Sequence, residues 1–310
     1  RRNRGRVSDE DHMRHALVLA ARGLGRTWPN PSVGCVIVQG ARVVGRGFTQ
    51  PGGRPHAERV ALAQAGAAAR GATVYVTLEP CAHHGQTPPC AEALAAAGVA
   101  RVVTAITDPD PRVAGQGHAM LAAAGIVVTE GVMAEPARQA TAGFLKRVTQ
   151  GLPFVTLKLA ATLDGRTATA TGESRWITGP DARRMVHAMR LTHDAVLIGA
   201  GTAVADDPDL TARDMGAAHQ PIRIVMDSTL RTPLSSRLAR TARDVPVWMI
   251  HGDAAPAARR QAWLDAGARL IPATDATTAL RALADAGLTR ILCEGGATLA
   301  AGLLRAGLVD

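Results

Sequence analysis

His56-Ala57-Glu58, followed by Thr73-Val74-Tyr75-Val76-Thr77-Leu78-Glu79-Pro80-Cys81-Ala82-His83-His84-Gly85-Gln86-Thr87-Pro88-Pro89-Cys90, is the stretch on which the reading of this chain turns. Thr73–Leu78 is rich in β-branched and apolar residues and predicts a strand, flanked by helices over about His56–Ala65 and Cys90–Ala97. Outward from there the alternation continues. Ser8, with Asp11 three residues on, caps a helix running to about Arg22, which Gly23 and Gly25 end. Val33–Val38 and Arg42–Phe48 read as strands around a tight turn at Gln39-Gly40. Downstream come a strand at Val102–Ile106, a helix near Gly117–Ala124 and a strand at Ile126–Thr129. Strands alternating with helices at this spacing predict an α/β layered sheet. A second unit begins near Gly151-Leu152-Pro153. Its strands are expected at Phe154–Leu159, Ala195–Ile198, Ile222–Met226, Val247–Ile250 and Arg290–Cys293, and its helices at Pro180–Leu191, Ala255–Ala266 and Ala276–Ala286.

The chemistry lies in the spacing. Two thiolates, Cys81 and Cys90, and the His56 imidazole make three zinc ligands and leave the fourth tetrahedral position open, the arrangement of catalytic sites. Helix N-termini stabilise the thiolates. Glu58 lies two residues beyond His56 and need not bind the metal; it is placed to take a proton from the attacking water and pass it to a departing amine. That is the logic of hydrolytic deamination of a nitrogen heterocycle, here with eight residues between the cysteines in place of two. A structural zinc site is the competing reading, with His83 or His84 as fourth ligand. Cys35 and Cys293, within and at the end of strands, read as small core residues.

Composition bounds the rest. Apolar residues make up 47% of 310, enough for a sizeable core, and aromatics only 3%, so Ala, Val, Leu and Ile fill it. The net charge of +9 invites a nucleic-acid reading, but the only lysines are Lys146 and Lys158, and the arginines are scattered apart from a run at Arg1–Arg6. With the heavy use of Ala and Gly, this is compositional bias, and it also suits an anionic small substrate. No run of 18 apolar residues and no basic-then-apolar leader is read, and four cysteines make no disulfide scaffold, so the expectation is a cytoplasmic protein with no membrane partner. The Arg1-Arg2 start and the end at Asp310 read as those of a fragment of a longer product.

Beyond this, Asn30-Pro31-Ser32-Val33-Gly34-Cys35-Val36-Ile37-Val38, the His56-Ala57-Glu58 triplet and the Thr77–Cys90 stretch together resemble the bifunctional riboflavin-biosynthesis deaminase–reductase family, RibD. The His-His-Gly spacer distinguishes it from tRNA adenosine and cytidine deaminases. Lys158–Arg166, Glu173–Gly179, Arg190, Asp194–Gly199, Thr202, Asp206–Leu210, Arg213, Asp227-Ser228 and Glu294-Gly295-Gly296 resemble its reductase half, in the expected order.

The resemblance implies a cytidine-deaminase-like three-layer α/β/α domain over 1–150 and a dihydrofolate-reductase-like α/β domain over 151–310. It implies a zinc ion on His56, Cys81 and Cys90, with Glu58 catalytic. It also implies NADPH beside Ala160, Trp176, Thr202, Asp206, Ser228 and Gly296, with Asp206 at the reacting centre. Asn30, Lys158, Ser174, Arg190, Leu210, Arg213 and Glu294 would face a phosphorylated pyrimidine substrate, the two arginines suiting its phosphate. Gly295-Gly296, between a strand and a helix near Ala297, would let a cofactor phosphate approach free N–H groups. Gly199-Ala200-Gly201 is no dinucleotide fingerprint, because Val204 stands where its third glycine belongs. The family continues past the position of Asp310 and associates into dimers or tetramers, which is the expectation for this chain. A nucleic-acid base deaminase and a non-catalytic zinc module are the rivals; the reductase motifs oppose the first and the retained Glu58 the second.

Overall fold

The computed structural model describes residues 7–84, 88–174 and 176–310; the basic run at residues 1–6, Gly85-Gln86-Thr87 of the cysteine spacer, and Arg175 lie outside the described residues. The chain forms two compact units, Arg1–Gln150 and Gly151–Asp310.

In the first unit Ser8 opens α1 (Asp9–Ala21) with a reciprocal capping box to Asp11, and Met13, Ala16, Leu19 and Ala20 are its buried residues. β1 (Gly34–Gln39) and β2 (Arg42–Phe48) form an antiparallel hairpin whose turn uses the positive φ of Gly40. Then follow α2 (Ala57–Ala65), β3 (Thr73–Val76), α3 (Cys90–Ala96), β4 (Arg101–Thr104), α4 (Gln116–Ala123), β5 (Val127–Thr129) and α5 (Ala134–Gln150). The sheet order is β2-β1-β3-β4-β5, antiparallel through β3 and parallel from β3 to β5. α5 had no counterpart in the sequence reading; its Pro136 falls in the first turn, where a missing N–H does no harm, and Ala137, Thr141 and Phe144 are buried at helical spacing.

Two glycines set the layers. A Cβ on Gly34 would overlap the Ala16 carbonyl of α1, and one on Gly47 would overlap the Ala57 carbonyl of α2. Gly47 pairs with Cys35, the neighbour of Gly34, and successive strand residues point to opposite faces. Thus α1 and α2 cover opposite faces of the sheet, with Val36, Ile37, Val74, Val76, Val102 and Val103 between them.

The second unit consists of β6 (Phe154–Leu157), α6 (Pro180–Leu191), β7 (Ala195–Gly199), α7 (Ala200–Asp206), β8 (Ile222–Met226), α8 (Arg237–Arg240), β9 (Val247–His251), α9 (Ala257–Asp265), β10 (Arg269–Pro272), α10 (Ala276–Asp285), β11 (Arg290–Cys293) and α11 (Ala297–Arg305). All of its strand pairs are parallel, in the order β10-β9-β8-β7-β11-β6. The chain steps outward from β7 to β10, then returns to insert β11 between β7 and β6. Such a reversal leaves a crevice at the carboxyl ends of the strands, where open α/β sheets bind ligands. The strand expected to reach Leu159 stops at Leu157, with one last bond from Lys158 N–H to the Cys293 carbonyl (2.9 Å) and Leu159 exposed. β10, four residues ending in proline, is too short for a periodic signal.

Gly47→Ala should destabilise the chain by about 1–3 kcal/mol in urea titration, since the methyl must displace α2. Gly302→Ala, with open space around it in α11, serves as the neutral or mildly stabilising control.

His193 gives a pH signature. It is buried, with Nδ1 2.7 Å from the Met189 carbonyl and Nε2 2.9 Å from Thr156 Oγ1, and burial lowers its pKa to about 4. Its unfolded value lies near 6.5, so below that the unfolded chain binds the proton first. Its contribution is complete above pH about 6.5 and fades as pH falls toward 4. In His193→Gln the decline in unfolding free energy between pH 6.5 and 4.5 should be smaller by about 2 kcal/mol.

Candidate functional site

His56 is the N-cap of α2 and Cys90 the first residue of α3, so the N-termini of two helices converge on one point. Cys81 reaches it from the loop after β3. His56 Nδ1 lies 3.6 Å from Cys81 Sγ and 3.4 Å from Cys90 Sγ, and Cys81 Sγ accepts the Cys90 N–H at 3.3 Å. A tetrahedral ion with zinc–sulfur and zinc–nitrogen bonds of usual length has an N···S edge of about 3.6 Å, so the donor set fits zinc. Among the described residues, His56, Cys81 and Cys90 form the one such metal-ligating group. Neither His83 nor His84, the fourth ligands a structural site would need, belongs to this group, and His84 is exposed and 3.5 Å from Glu92.

The electrostatics favour a thiolate. Hydrogen bonding from the Cys90 thiol, with help from His56 and the Cys90 N–H, lowers the Cys81 pKa to about 4, while the Cys90 thiol is pushed up by the same pairing and by burial. Glu58 is buried on the first turn of α2, outside the ligand set. Burial, with the Cys81 charge adding to it, raises its carboxyl to about 7, so both protonation states are accessible near neutral pH. Cys35 and Cys293 are fully buried in their respective sheets, as the sequence suggested.

His56, Glu58 and Cys81 line a cavity of about 160 Å³ that Asn30 also lines, its Nδ2 donating to the Gly53 carbonyl at 2.9 Å. His83, weighed in the sequence only as a fourth metal ligand, lines it too, as do Arg54, Asp108, Asp110 and Arg112, the last three from the loop after β4, which sequence reasoning missed. Burial raises Asp108 to about 6. The signal was present in Asp108-Pro109-Asp110-Pro111, acids and prolines placed just beyond a parallel strand, where sites of layered α/β proteins gather.

In the second unit the proposed groups fall mainly at the carboxyl ends of the strands. Lys158 and Ala160 follow β6, Thr202 and Asp206 lie on α7 behind β7, Ser228 follows β8, and Glu294 and Gly296 follow β11. Gly296 has φ +66, and a Cβ there would come 3.1 Å from Thr202 Oγ1, which puts these two side by side. Arg190 and Glu294 are joined by two bonds of 2.6 and 2.8 Å, both nearly buried, and Arg190 also donates to the Thr211 carbonyl at 2.7 Å. Arg213 stands beside Asp209 at 3.6 Å, with its N–H on His187 Nδ1 at 3.1 Å. Leu210 has a positive φ and its side chain in the core, so only its backbone can face a ligand. Asp206, Ser228, Ser174 and Trp176 are exposed, the last stacked under Arg183 at 4.4 Å.

Comparison with known proteins adds to this geometry. Residues 6–106 match the family model of the cytidine and deoxycytidylate deaminase zinc-binding region, and residues 153–310 match the RibD C-terminal domain. Riboflavin biosynthesis protein RibD of Escherichia coli (strain K12) is 46% identical, over 98% of this chain and 86% of that protein. The RibD of Haemophilus influenzae is 51% identical, over 78% and 68%. Among solved structures, Acinetobacter baumannii RibD superposes with a TM-score of 0.89 at 43% identity, covering 97% of this chain and 84% of that one. A Thermotoga maritima diaminohydroxyphosphoribosylaminopyrimidine deaminase/5-amino-6-(5-phosphoribosylamino)uracil reductase gives 0.85 at 36%, covering 96% and 84%.

Metal analysis of purified protein should give one zinc per chain. Cys81→Ser should reduce it to roughly a tenth or less, in line with the loss of one of three ligands, whereas His84→Asn should leave it intact. Loss of zinc in His84→Asn would restore the structural-site reading.

Proposed function

This chain belongs to the RibD family of riboflavin biosynthesis proteins, and on that premise we propose how its residues divide the work. The protein is a bifunctional enzyme of riboflavin biosynthesis that uses zinc and NADPH. It removes an amino group hydrolytically from 2,5-diamino-6-(5-phosphoribosylamino)pyrimidin-4-one, then reduces the ribosyl group to ribityl, giving 5-amino-6-(5-phosphoribitylamino)uracil.

In our reading residues 1–150 carry the deaminase and 151–310 the reductase. His56, Cys81 and Cys90 hold zinc, which when bound supplies the Lewis acidity that makes water a competent nucleophile near neutral pH. Glu58 accepts a proton from the attacking water as the C–O bond forms. It returns one to the amino nitrogen as the C–N bond breaks, and ends as it began. The observation that carries this is a buried, non-ligand carboxylate with its pKa raised to about 7 beside a three-ligand metal group. Asn30, on the cavity wall, orients the ring.

For the second step, NADPH supplies the reducing equivalent. Thr202 and Gly296, side by side behind β7 and β11, receive it together with Ala160, Trp176, Asp206 and Ser228. Arg213 and Arg190 answer the substrate phosphate, with Lys158, Ser174, Glu294 and the Leu210 backbone around the ribose. The reading extends to a homodimer or homotetramer in the cytoplasm that acts on this small molecule and not on nucleic acid. Among the described residues, no helix is long and apolar enough to cross a membrane.

With the diaminopyrimidinone ribosyl phosphate as substrate, ammonia release and NADPH oxidation are followed separately. Glu58→Gln should lower ammonia release roughly 10²–10⁴-fold while zinc content holds, because the proton route is lost. It should leave reduction of the deaminated intermediate unchanged. Asp206→Asn should do the reverse. Ammonia release that survives in Glu58→Gln removes Glu58 from the chemistry, and unaltered NADPH oxidation does the same for Asp206.

A further inference from the structure

Glu79 lies two residues before the metal ligand Cys81, and its side chain has no exposed surface. Its carboxylate accepts four backbone N–H groups. Oε2 takes those of Asp108 (3.1 Å) and Gly115 (3.0 Å), and Oε1 takes those of Gly117 (2.8 Å) and His118 (3.2 Å). Its own N–H donates to the Ile106 carbonyl at 2.9 Å, where β4 ends. Gly117 is pressed so closely on this group that a Cβ would overlap the Pro80 carbonyl. The His118 ring backs the carboxylate at 4.0 Å while bonding Glu130 (3.1 Å) and Thr104 (3.0 Å).

The loop held in this way lines the deaminase cavity. Between β4 and α4 it has no strand or helix of its own, and its shape is passed along side chains. Asp108 Oδ1 accepts the Asp110 N–H at 2.9 Å, and Asp110 Oδ1 accepts the Arg112 N–H at 3.0 Å while gripping the Arg112 guanidinium. Asp108, Asp110, Arg112 and Val113 line the same cavity as His56, Glu58 and Cys81. The first link of that chain is the bond from Asp108 N–H to Glu79.

We propose that Glu79 is a positioning residue of the deamination step, which locks the loop between β4 and α4, with the first turn of α4, to the metal-ligand loop and so sets substrate affinity without touching substrate or metal. This rests on the deaminase reading of the cavity. A carboxylate is required chemically, because four converging donors need a group that only accepts. The amide of Gln would accept two of them and turn its own N–H₂ toward the other two, leaving buried donors unpaired.

The test compares Glu79→Gln and Gly117→Ala with the parent in the full chain. The second variant reaches the same contact from the α4 side and retains the carboxylate. In both, KM for the diaminopyrimidinone should rise roughly tenfold or more, the effect of one or two buried hydrogen bonds, with kcat changed less than about threefold. Zinc should remain at one per chain, and reduction of the deaminated intermediate by the same molecules should be unchanged. Hydrogen exchange should quicken at the amides of 108, 115, 117 and 118 and not in α2. Exchange that quickens with KM unmoved overturns the proposal. A fall in kcat alone, or activity lost in step with zinc, also overturns it, since Glu79 would then serve the metal loop only. If Glu79→Gln does not fold, Gly117→Ala decides by the same criteria. A parent chain that releases no ammonia from this substrate refutes the deaminase reading instead, whatever the variants do.

Discussion

A thiolate persists inside a protein only where its charge is answered, and the first unit is arranged to answer the one on Cys81. The Cys90 N–H lies 3.3 Å and His56 Nδ1 3.6 Å from that sulfur, and two helix N-termini bring them there. The sheet makes this possible. β2 lies close enough to α2 because Gly45 and Gly47 both lack a side chain, and α2 then presents its N-cap His56 and first-turn Glu58 to the carboxyl end of β3, where Cys81 emerges. The metal-ligating group and the buried Glu58 beside it thus depend on that packing of helix on strand.

The second unit follows a different rule toward a similar end. A parallel sheet whose chain reverses direction collects loop residues from distant positions at one edge. Residues 158, 202, 228, 294 and 296 share an edge because β6, β7, β8 and β11 all run the same way. The pairing of Arg190 with Glu294 shows how firmly part of that edge is built. Taking one partner from such a nearly buried ion pair would strand the other charge, so the pair also holds α6 to the end of β11.

How far the sequence could be read depended on whether a feature was local. The Ser8–Asp11 cap, the hairpin at Gly40, and the strand and helices around the cysteines are each set within about ten residues, and each stands where the sequence put it, except that β3 ends at Val76, two residues short of Leu78. α5 and β10 were not legible, the one because its apolar pattern is diluted by polar residues, the other because it is four residues long. In the site, the group of His56, Cys81 and Cys90 was legible from spacing, since zinc demands particular donor types, and Glu58 stands buried beside it. Asp108, Asp110 and Arg112 were not, because an acidic loop acquires meaning only from what it faces.

Residue type and spacing alone determined the candidate metal group and the alternation of strands and helices, because ligand identity and hydrophobic periodicity are properties of the chain, while the quoted motifs carried the resemblance to the family. Tertiary structure alone decided which face of the sheet each helix covers and that Gly296 meets Thr202. It also decided that the Glu79 carboxylate gathers four amides from residues 108–118. Those are contacts across tens of residues, set by sheet order and strand direction, and no local pattern specifies either one.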